Sequence, residues 1–595
     1  MIPIFQCPIC KIELNDDHSC KNCLKNYFDQ GNFYNFILDS KSDITTKSDM
    51  ENLLQNIQSH GYSTTMTSFL KNSNTKFEQK FSIVEGDIAF RCIGKNNLRC
   101  LILNSEIGNI CENLSKTFEQ VFSMEYDKNK ILIQNARFKE NGIENIVLVR
   151  ANYLVLPFSN EYFDLVIFNG INIKEKDNVI QCFQEVKRVL KPSGCFCVGA
   201  LNKFRLDTLS NEHDHSTKNM YVDSYSGYSS IFKNLKFQVR SFWIFGTFRR
   251  PYFVGDIDDE LSLKWIFSNL KNFFPINTKS KIFGWLLKKS NTALRKFFIK
   301  FFSPSFLFYC YKNSNLTSEF EEMLMEKTGV QSFLQQIRLK NLQFILFNTY
   351  GKPIKKFSCK RTNYNLTENI VSVNLSPKND FSDSKMIVQD WVEGRPIDIK
   401  NIDEIRLVIE WLKNFQTKTS TDLYIFNKQD DELLIIENHL KTLREVENLP
   451  YKKWLDDYKK YVNKMEIKNT SVHGDFLPHN ILYNPDTSSV HVIDWERSIE
   501  HGNPFYDVIK FIFHMLTPNA TVIEFSENLK NLKNISSLDI INQTLSNHYK
   551  HQLDIIILLR FFLLHQIVLN KNISKSYFSK LLVELSKYTS NLIPE

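Results

Sequence analysis

The sequence predicts an α/β unit built on a parallel sheet, then an α+β unit, behind a small metal-held ribbon. Three observations carry this expectation. Two close cysteine pairs open the chain, short apolar runs alternate with helical patterns over residues 48–250, and an Asp-x4-Asn loop with a second, strand-ending Asp lies in the last third.

A chain of 595 residues is too long for one hydrophobic core, so several domains are expected. Hydrophobic residues at 43% and charged residues at 24% exclude a wholly disordered or collagen-like protein. The net charge of +8 is small for this length and predicts no nucleic-acid partner. The first residues, MIPIFQCPIC, lack a basic stretch followed by an apolar one, and no apolar run reaches the ~18 residues that span a bilayer. A cytoplasmic protein with reduced thiols is the expectation.

Residues 1–38 hold Cys7-Pro8-Ile9-Cys10 and Cys20-Lys21-Asn22-Cys23. Two such pairs, each on a tight turn, bring four thiolates around one tetrahedral zinc and leave no open position for catalysis. A segment this short buries little apolar surface, so the metal would supply much of its folding energy. With Tyr27-Phe28 and Phe36-Ile37-Leu38 following, it resembles the zinc ribbons that precede the methyltransferase domain in several bacterial and archaeal methyltransferases.

Over 48–250, Leu101–Leu103, Val121–Met124, Ile146–Val149 and Leu165–Phe168 read as buried strands, with Cys111–Glu119 and Asn129–Asn141 as intervening helices. Leu156-Pro157-Phe158, then Tyr162-Phe163-Asp164-Leu165-Val166, then Glu185 to Gly194 (EVKRVLKPSG) resemble a class I S-adenosylmethionine-dependent methyltransferase, which implies a Rossmann-like fold. By that resemblance Gly108 lies in the cofactor turn, Glu125 takes the ribose hydroxyls, Asn152 contacts the adenine amino group and Leu156 flanks the base. The turn departs from the family's pattern: Asn104 and Glu106 stand where glycines are expected, and Ile102 where an acid is expected.

Residues 251–317 are expected to form a helical linker with an amphipathic segment over 281–302. Phe283, Leu286, Leu287, Leu294, Phe297, Phe298 and Phe301 share one side of a helical wheel, and Lys281, Lys288, Lys289, Arg295, Lys296 and Lys300 the other. Two readings stay open: peripheral contact with an anionic membrane, or packing on a neighbouring domain.

From 318 to 595 the phosphotransfer pattern appears. In Val472-His473-Gly474-Asp475-Phe476-Leu477-Pro478-His479-Asn480, an Asp can orient an attacking hydroxyl and an Asn five positions on can hold magnesium; Asp494, after the strand-like Val490–Ile493, can hold it too. HGDFLPHN with IDWE resembles the aminoglycoside phosphotransferase and choline kinase family, which implies a protein-kinase-like fold, ATP, magnesium, and a sugar, amino alcohol or glycan end as acceptor. The resemblance makes Asp507 a structural anchor. Lys360, with Lys356 as alternative, is the candidate phosphate-binding lysine on a hairpin that carries few glycines. The combined expectation is a bifunctional methyltransferase and kinase, a fusion that resembles the proteins that modify the ends of bacterial surface polysaccharides, against a scaffold in glycan assembly in which one or both domains lack activity.

Overall fold

The computed structural model describes residues 4–37, 49–72, 98–205, 220–247, 250–273, 290–313, 319–330, 332–337, 341–360, 379–382, 386–421, 426–441, 449–465, 467–532, 535–569 and 575–588. The chain divides into two units, Met1–Arg361 and Thr362–Glu595.

In the first unit, β1 (Phe28–Asp29) and β2 (Phe33–Asn35) belong to the ribbon. They are followed by β3 (Arg99–Leu103), β4 (Gln120–Glu125), β5 (Ile146–Arg150), β6 (Phe163–Phe168) and β7 (Leu190–Leu201), then β8 (Gln238–Thr247), β9 (Arg250–Asp256) and β10 (Ser305–Tyr311). A last group comprises β11 (Ser332–Ile337), β12 (Asn341–Phe347) and β13 (Pro353–Lys360). Their order in the sheet is β1-β2-β5-β4-β3-β6-β7-β10-β8-β9-β11-β12-β13. The strands β2 to β7 pair in parallel wherever they meet, and almost every residue of the central strands is buried, as both-face coverage demands. From β3 the chain builds outward to β4 and β5 on one side and then restarts at β6 and β7 on the other. That reversal places the crevice for a ligand at the carboxyl ends of β3 and β6.

The helices α1 (Asp49–His60) and α2 (Tyr62–Asn72) cover this end: Leu53, Leu54 and Ile57 pack with Ile107 of the turn after β3 and with Ile133. Here α3 is Asn109–Ser115 and α4 is Lys128–Glu140. The remaining helices of this unit are α5 (Lys176–Val189), α6 (Tyr225–Asn234), α7 (Glu260–Phe273), α8 (Thr292–Phe302) and α9 (Glu319–Thr328).

One part differs from the sequence expectation. Residues 305–311, assigned to a linker, form β10 in the interior of the sheet, antiparallel to both β7 and β8. All seven residues of SFLFYCY are buried, and their ladder partners lie roughly 60 and 110 positions upstream, beyond the reach of local pattern reading. The hairpin β12–β13 falls within the first unit and continues its sheet through β11, which pairs with β9 at Gln335 and Val254. Of the expected amphipathic segment, α8 covers Thr292–Phe302, and residues 281–289 lie outside the described residues.

The second unit opens with the hairpin β14 (Asn379–Ser382) and β15 (Met386–Asp390), then β16 (Arg395–Pro396). The helices α10 (Ile402–Thr419), α11 (Phe426–Leu440) and α12 (Tyr451–Asn463) follow. A set of short strands comes next: β17 (Thr470–Val472), β18 (Ile481–Asn484), β19 (Ser489–Val492) and β20 (Ile499–Gly502). Helices α13 (Phe505–Leu516), α14 (Val522–Lys530), α15 (Ser536–Tyr549), α16 (Ile555–Leu569) and α17 (Lys575–Ser586) complete it. One core joins the helices to the strand loops: Phe415, Phe476, Trp495 and Phe511 are all buried within it.

Candidate active sites

The phosphotransfer loop is wired from beneath. Asp507, in the first turn of α13, accepts from the backbone N–H groups of His473 (2.7 Å) and Gly474 (2.9 Å), so the loop is gripped by its own amides. Burial raises the Asp507 carboxyl to about 6, against the pull of those amides. His473 spans the two halves of the site: its Nδ1 accepts from the Asp475 N–H at 3.2 Å, so Nε2 carries the proton and donates to Ile493 C=O at 2.9 Å. Burial holds this ring neutral, with a pKa lowered to about 4. Gly474 is required by crowding. It sits at φ +76°, and a Cβ there would lie 2.1 Å from the Arg497 carbonyl oxygen.

Asn480 donates through Nδ2 to Asp475 C=O (2.9 Å) and Asp475 Oδ2 (3.3 Å), which leaves Oδ1 as its acceptor face. The Ile493 N–H donates to Asn480 C=O at 2.9 Å, so the hairpin of β18 and β19 brings Asp494 up beside Asn480. Asp494 holds a left-handed backbone (φ 70°) and its side chain caps nothing. Asn480 Oδ1 and the Asp494 carboxylate are hard oxygen donors, the set magnesium prefers. Asp475 has a partner the sequence reading missed: Lys510 Nζ lies 2.7 Å from its Oδ1 and 2.7 Å from Gly474 C=O, with Arg497 Nη1 3.7 Å from the same carboxylate. Burial favours the neutral acid, but the Lys510 ammonium outweighs it and holds Asp475 below its usual range. No short motif marks Lys510. Its only signal is helical spacing, one turn after Asp507.

Lys360 ends β13 in the first unit, and its side chain lies outside the described residues. Lys356 shares its face of the strand by the two-residue period, opposite the buried Phe357.

In the first unit, Asn104 (φ 57°), Glu106 (φ 54°) and Gly108 (φ 85°) follow β3 in the left-handed conformation, so the turn keeps a glycine-type path with two non-glycine residues. A Cβ on Gly108 would meet Phe138 at 2.5 Å. Gln134 of α4 secures the turn, donating to Glu106 C=O (2.7 Å) and Ser105 Oγ (3.0 Å). Glu125 ends β4 and is 2% exposed; it accepts from the N–H groups of Glu106 (3.0 Å) and Tyr126 (3.0 Å) and from Tyr153 OH (3.4 Å). Burial raises its pKa although Lys130, paired with Glu106 at 2.6 Å, lies close by. Asn152 is exposed and accepts the Leu154 N–H at 2.9 Å, while Leu156 is buried, with its N–H on Glu185 and its C=O on Arg188. Gly108 and Glu125 therefore meet at the strand crevice, through Glu106, whereas Leu156 belongs to a network with α5.

The four cysteines meet as expected. Their sulfurs all lie within 4.8 Å of one another, and Lys11 N–H to Cys7 C=O and Leu24 N–H to Cys20 C=O close two matching turns. Burial would raise the Cys7 thiol, but hydrogen bonds, led by Tyr27 OH at 3.2 Å, bring it to about 6. A tetrahedral thiolate site for zinc fits this donor set. The ribbon docks through Phe5, which packs on Phe36, Phe122 and Phe158, while Asn35 pairs with Arg150 of β5.

A crevice at a sheet reversal with an acid on the neighbouring strand defines a nucleotide-cofactor α/β unit, and a strutted Asp-Asn-Asp loop defines a phosphotransfer unit. Residues 105–198 are a methyltransferase domain, and residues 387–531 are a domain of the phosphotransferase enzyme family. Both are transferase domains. The sterol 4-C-methyltransferase of Caenorhabditis elegans is 26% identical over 152 residues, 25% of this chain and 43% of that protein. The demethylmenaquinone methyltransferase of Bacillus velezensis is 29% identical over 75 residues, 13% of this chain and 32% of that protein. The chain thus spans less than half the length of these relatives. Among solved structures, phosphoethanolamine N-methyltransferase 2 of Haemonchus contortus is similar at 14% identity and a TM-score of 0.27, over 45% of this chain and 61% of that one. A methyltransferase from Aquifex aeolicus is similar at 13% identity and a TM-score of 0.25, over 34% and 94%.

Among the described residues, no helix is long and apolar enough to cross a membrane.

Proposed function

We propose that the chain is a bifunctional transferase that phosphorylates a hydroxyl of a small polar acceptor (a sugar, an amino alcohol or a glycan end) in its second unit and transfers a methyl group in its first. The observation that carries the first half is the strutted loop: Asp507 and His473 hold Asp475, Asn480 and Asp494 in one piece. Asp475 would orient the acceptor hydroxyl, and Asn480 and Asp494 would hold magnesium, which when bound neutralises the phosphate charge of ATP. Because Lys510 keeps Asp475 ionised, its role is to position the hydroxyl more than to take up its proton.

In the first unit, bound S-adenosylmethionine supplies an electrophilic methyl group. Glu125 would face its ribose, and the turn at Asn104–Gly108 its methionine end. The relatives' names concern unlike acceptors, a sterol and demethylmenaquinone, and give this chain none. A second reading, a scaffold whose methyltransferase unit is inactive, is favoured by one observation: Glu125 already has four internal donors.

Zinc would hold the ribbon. Peripheral membrane contact, with a glycan at the cell surface as acceptor, is supported by α8: Leu294, Phe297 and Phe301 are exposed, Phe204 stacks on Phe301 at 4.5 Å, and Lys203 stands beside them.

The test separates magnesium from hydroxyl chemistry. Asp494→Ala should abolish magnesium-dependent ATP binding, whereas Asp475→Asn should keep binding and slow transfer by roughly 100- to 10,000-fold across a panel of sugars, amino alcohols and glycan ends. Wild-type protein that fails to bind ATP at any magnesium concentration would refute the kinase half.

A further inference from the structure

Helix α8 has two apolar sides. Ile299 is fully buried, Phe298 and Phe302 are half-buried, and Phe298 packs edge-on against Phe267 of α7, so this side fastens the helix to its unit. Leu294, Phe297 and Phe301, at positions i, i+3 and i+7, form a second stripe that is 50%, 61% and 36% exposed. Phe204, also exposed, extends the stripe past the end of the helix: its ring stacks on Phe301 at 4.5 Å, and Phe301 stacks on Phe297 at 5.9 Å. Single apolar residues are common on soluble surfaces, but a contiguous row of large ones marks a surface that something covers. The charge beside the row has one sign. The helix contains Arg295, Lys296 and Lys300 and no acid; Arg295 is buried and Lys296 meets Asp258 at 3.2 Å, which leaves Lys300 next to Phe301, and Lys203 Nζ 6.0 Å from the Phe204 ring.

The row is joined to the edge of the sheet where the parallel strands end. Because β7 runs parallel to β6, with Val198 opposite Phe168, Asn202 stands at the carboxyl ends of both. Its Nδ2 donates to the C=O groups of Phe301 (2.8 Å) and Ser303 (2.9 Å), which ties the last turn of α8 to that edge. A short bridge leads on to the crevice: the Lys203 N–H donates to Asp223 C=O, and the Tyr221 N–H to Ile171 C=O just after β6, both at 2.9 Å. We propose that the row docks the first unit on an anionic lipid bilayer with the crevice edge turned toward the lipid, an orientation that suits a methyl acceptor anchored in the bilayer. The proposal rests on the methyltransferase reading and gives the peripheral contact an orientation. The rings enter the headgroup boundary while Lys203 and Lys300 meet the anionic headgroups. The four exposed side chains carry no hydrogen-bonding group to register a partner, so they match a fluid, negatively charged surface better than the fixed contour of another protein.

The experiment is flotation of the full chain with vesicles of phosphatidylcholine alone and of phosphatidylcholine mixed with phosphatidylglycerol. Wild type should float with the anionic vesicles and stay behind with the neutral ones. Phe297→Ser with Phe301→Ser should weaken binding to the anionic vesicles about tenfold or more, because two rings no longer leave water, and should melt as wild type does. Orientation is read with Phe204→Trp, Phe297→Trp and, as a control, Tyr350→Trp, which lies exposed in the turn between β12 and β13 at the opposite edge of the sheet. Brominated lipid should quench the added emission of the first two and not of the third. Quenching at 297 without 204, or equal quenching at 350, overturns the orientation and leaves the peripheral contact standing. Wild type that floats with neither vesicle, or equally with both, or that instead forms a dimer lost in the double variant, overturns the docking. The methyltransferase reading is judged apart from all of these, by calorimetric binding of S-adenosylmethionine without vesicles.

Discussion

Lys510 Nζ lies 2.7 Å from Asp475 Oδ1 and equally close to the Gly474 carbonyl, so one cation from α13 holds both the candidate catalytic carboxylate and the loop that carries it. Removing the charge should let burial win and raise the Asp475 pKa. Lys510→Met should therefore move the acidic limb of the phosphotransfer pH profile upward by about 1 unit or more and slow transfer at neutral pH about tenfold or more. Lys510→Arg should restore most of the limb. A slowed variant with an unmoved limb would show that Lys510 acts only on loop structure.

Asp507 and His473 are buried neighbours whose titrations oppose each other. The folded state keeps a proton on Asp507 up to about pH 6, which the unfolded chain loses near 4, so its contribution to stability falls as pH rises through that window. His473, lowered to about 4, contributes stability that rises over the same window. Asp507→Asn removes only the first effect. Relative to wild type, the variant should gain on the order of 2 kcal/mol of stability between about pH 4 and 6 in urea unfolding. A gap that stays constant with pH would mean that Asp507 ionises alike in both states.

Glu125 takes four internal donors, so its loss should destabilise before it affects any ligand. Glu125→Ala leaves the Glu106, Tyr126 and Asp127 amides and the Tyr153 hydroxyl short of an acceptor, and should lower the stability of the first unit by about 1 to 3 kcal/mol. Thermal unfolding without ligand measures this. No change in the melting temperature would argue that the carboxylate is free for the ribose.

One zinc per chain is expected from elemental analysis, and Cys7→Ser with Cys20→Ser should remove it. Because Phe5 and Asn35 tie the ribbon to the sheet, the loss should also lower the melting temperature of the first unit. Zinc retained in the double variant would place it elsewhere.

The sequence by itself determined what is local. The cysteine turns, the strands β3 to β6, and the spacing of Asp475, Asn480 and Asp494 follow from residues a few positions apart, because turn chemistry, side-chain periodicity and a metal loop are all short-range constraints. Only the tertiary structure decided what lies far apart along the chain. It set β10 between β7 and β8, joined the hairpin of β12 and β13 to the first unit's sheet, and brought Lys510 onto Asp475 and Asn104 beside Asn169. Strand order and the partners of a buried charge depend on which surfaces exclude water together. A run such as SFLFYCY announces burial but not its neighbours, and a lysine on an apolar helix announces neither its acid nor its purpose.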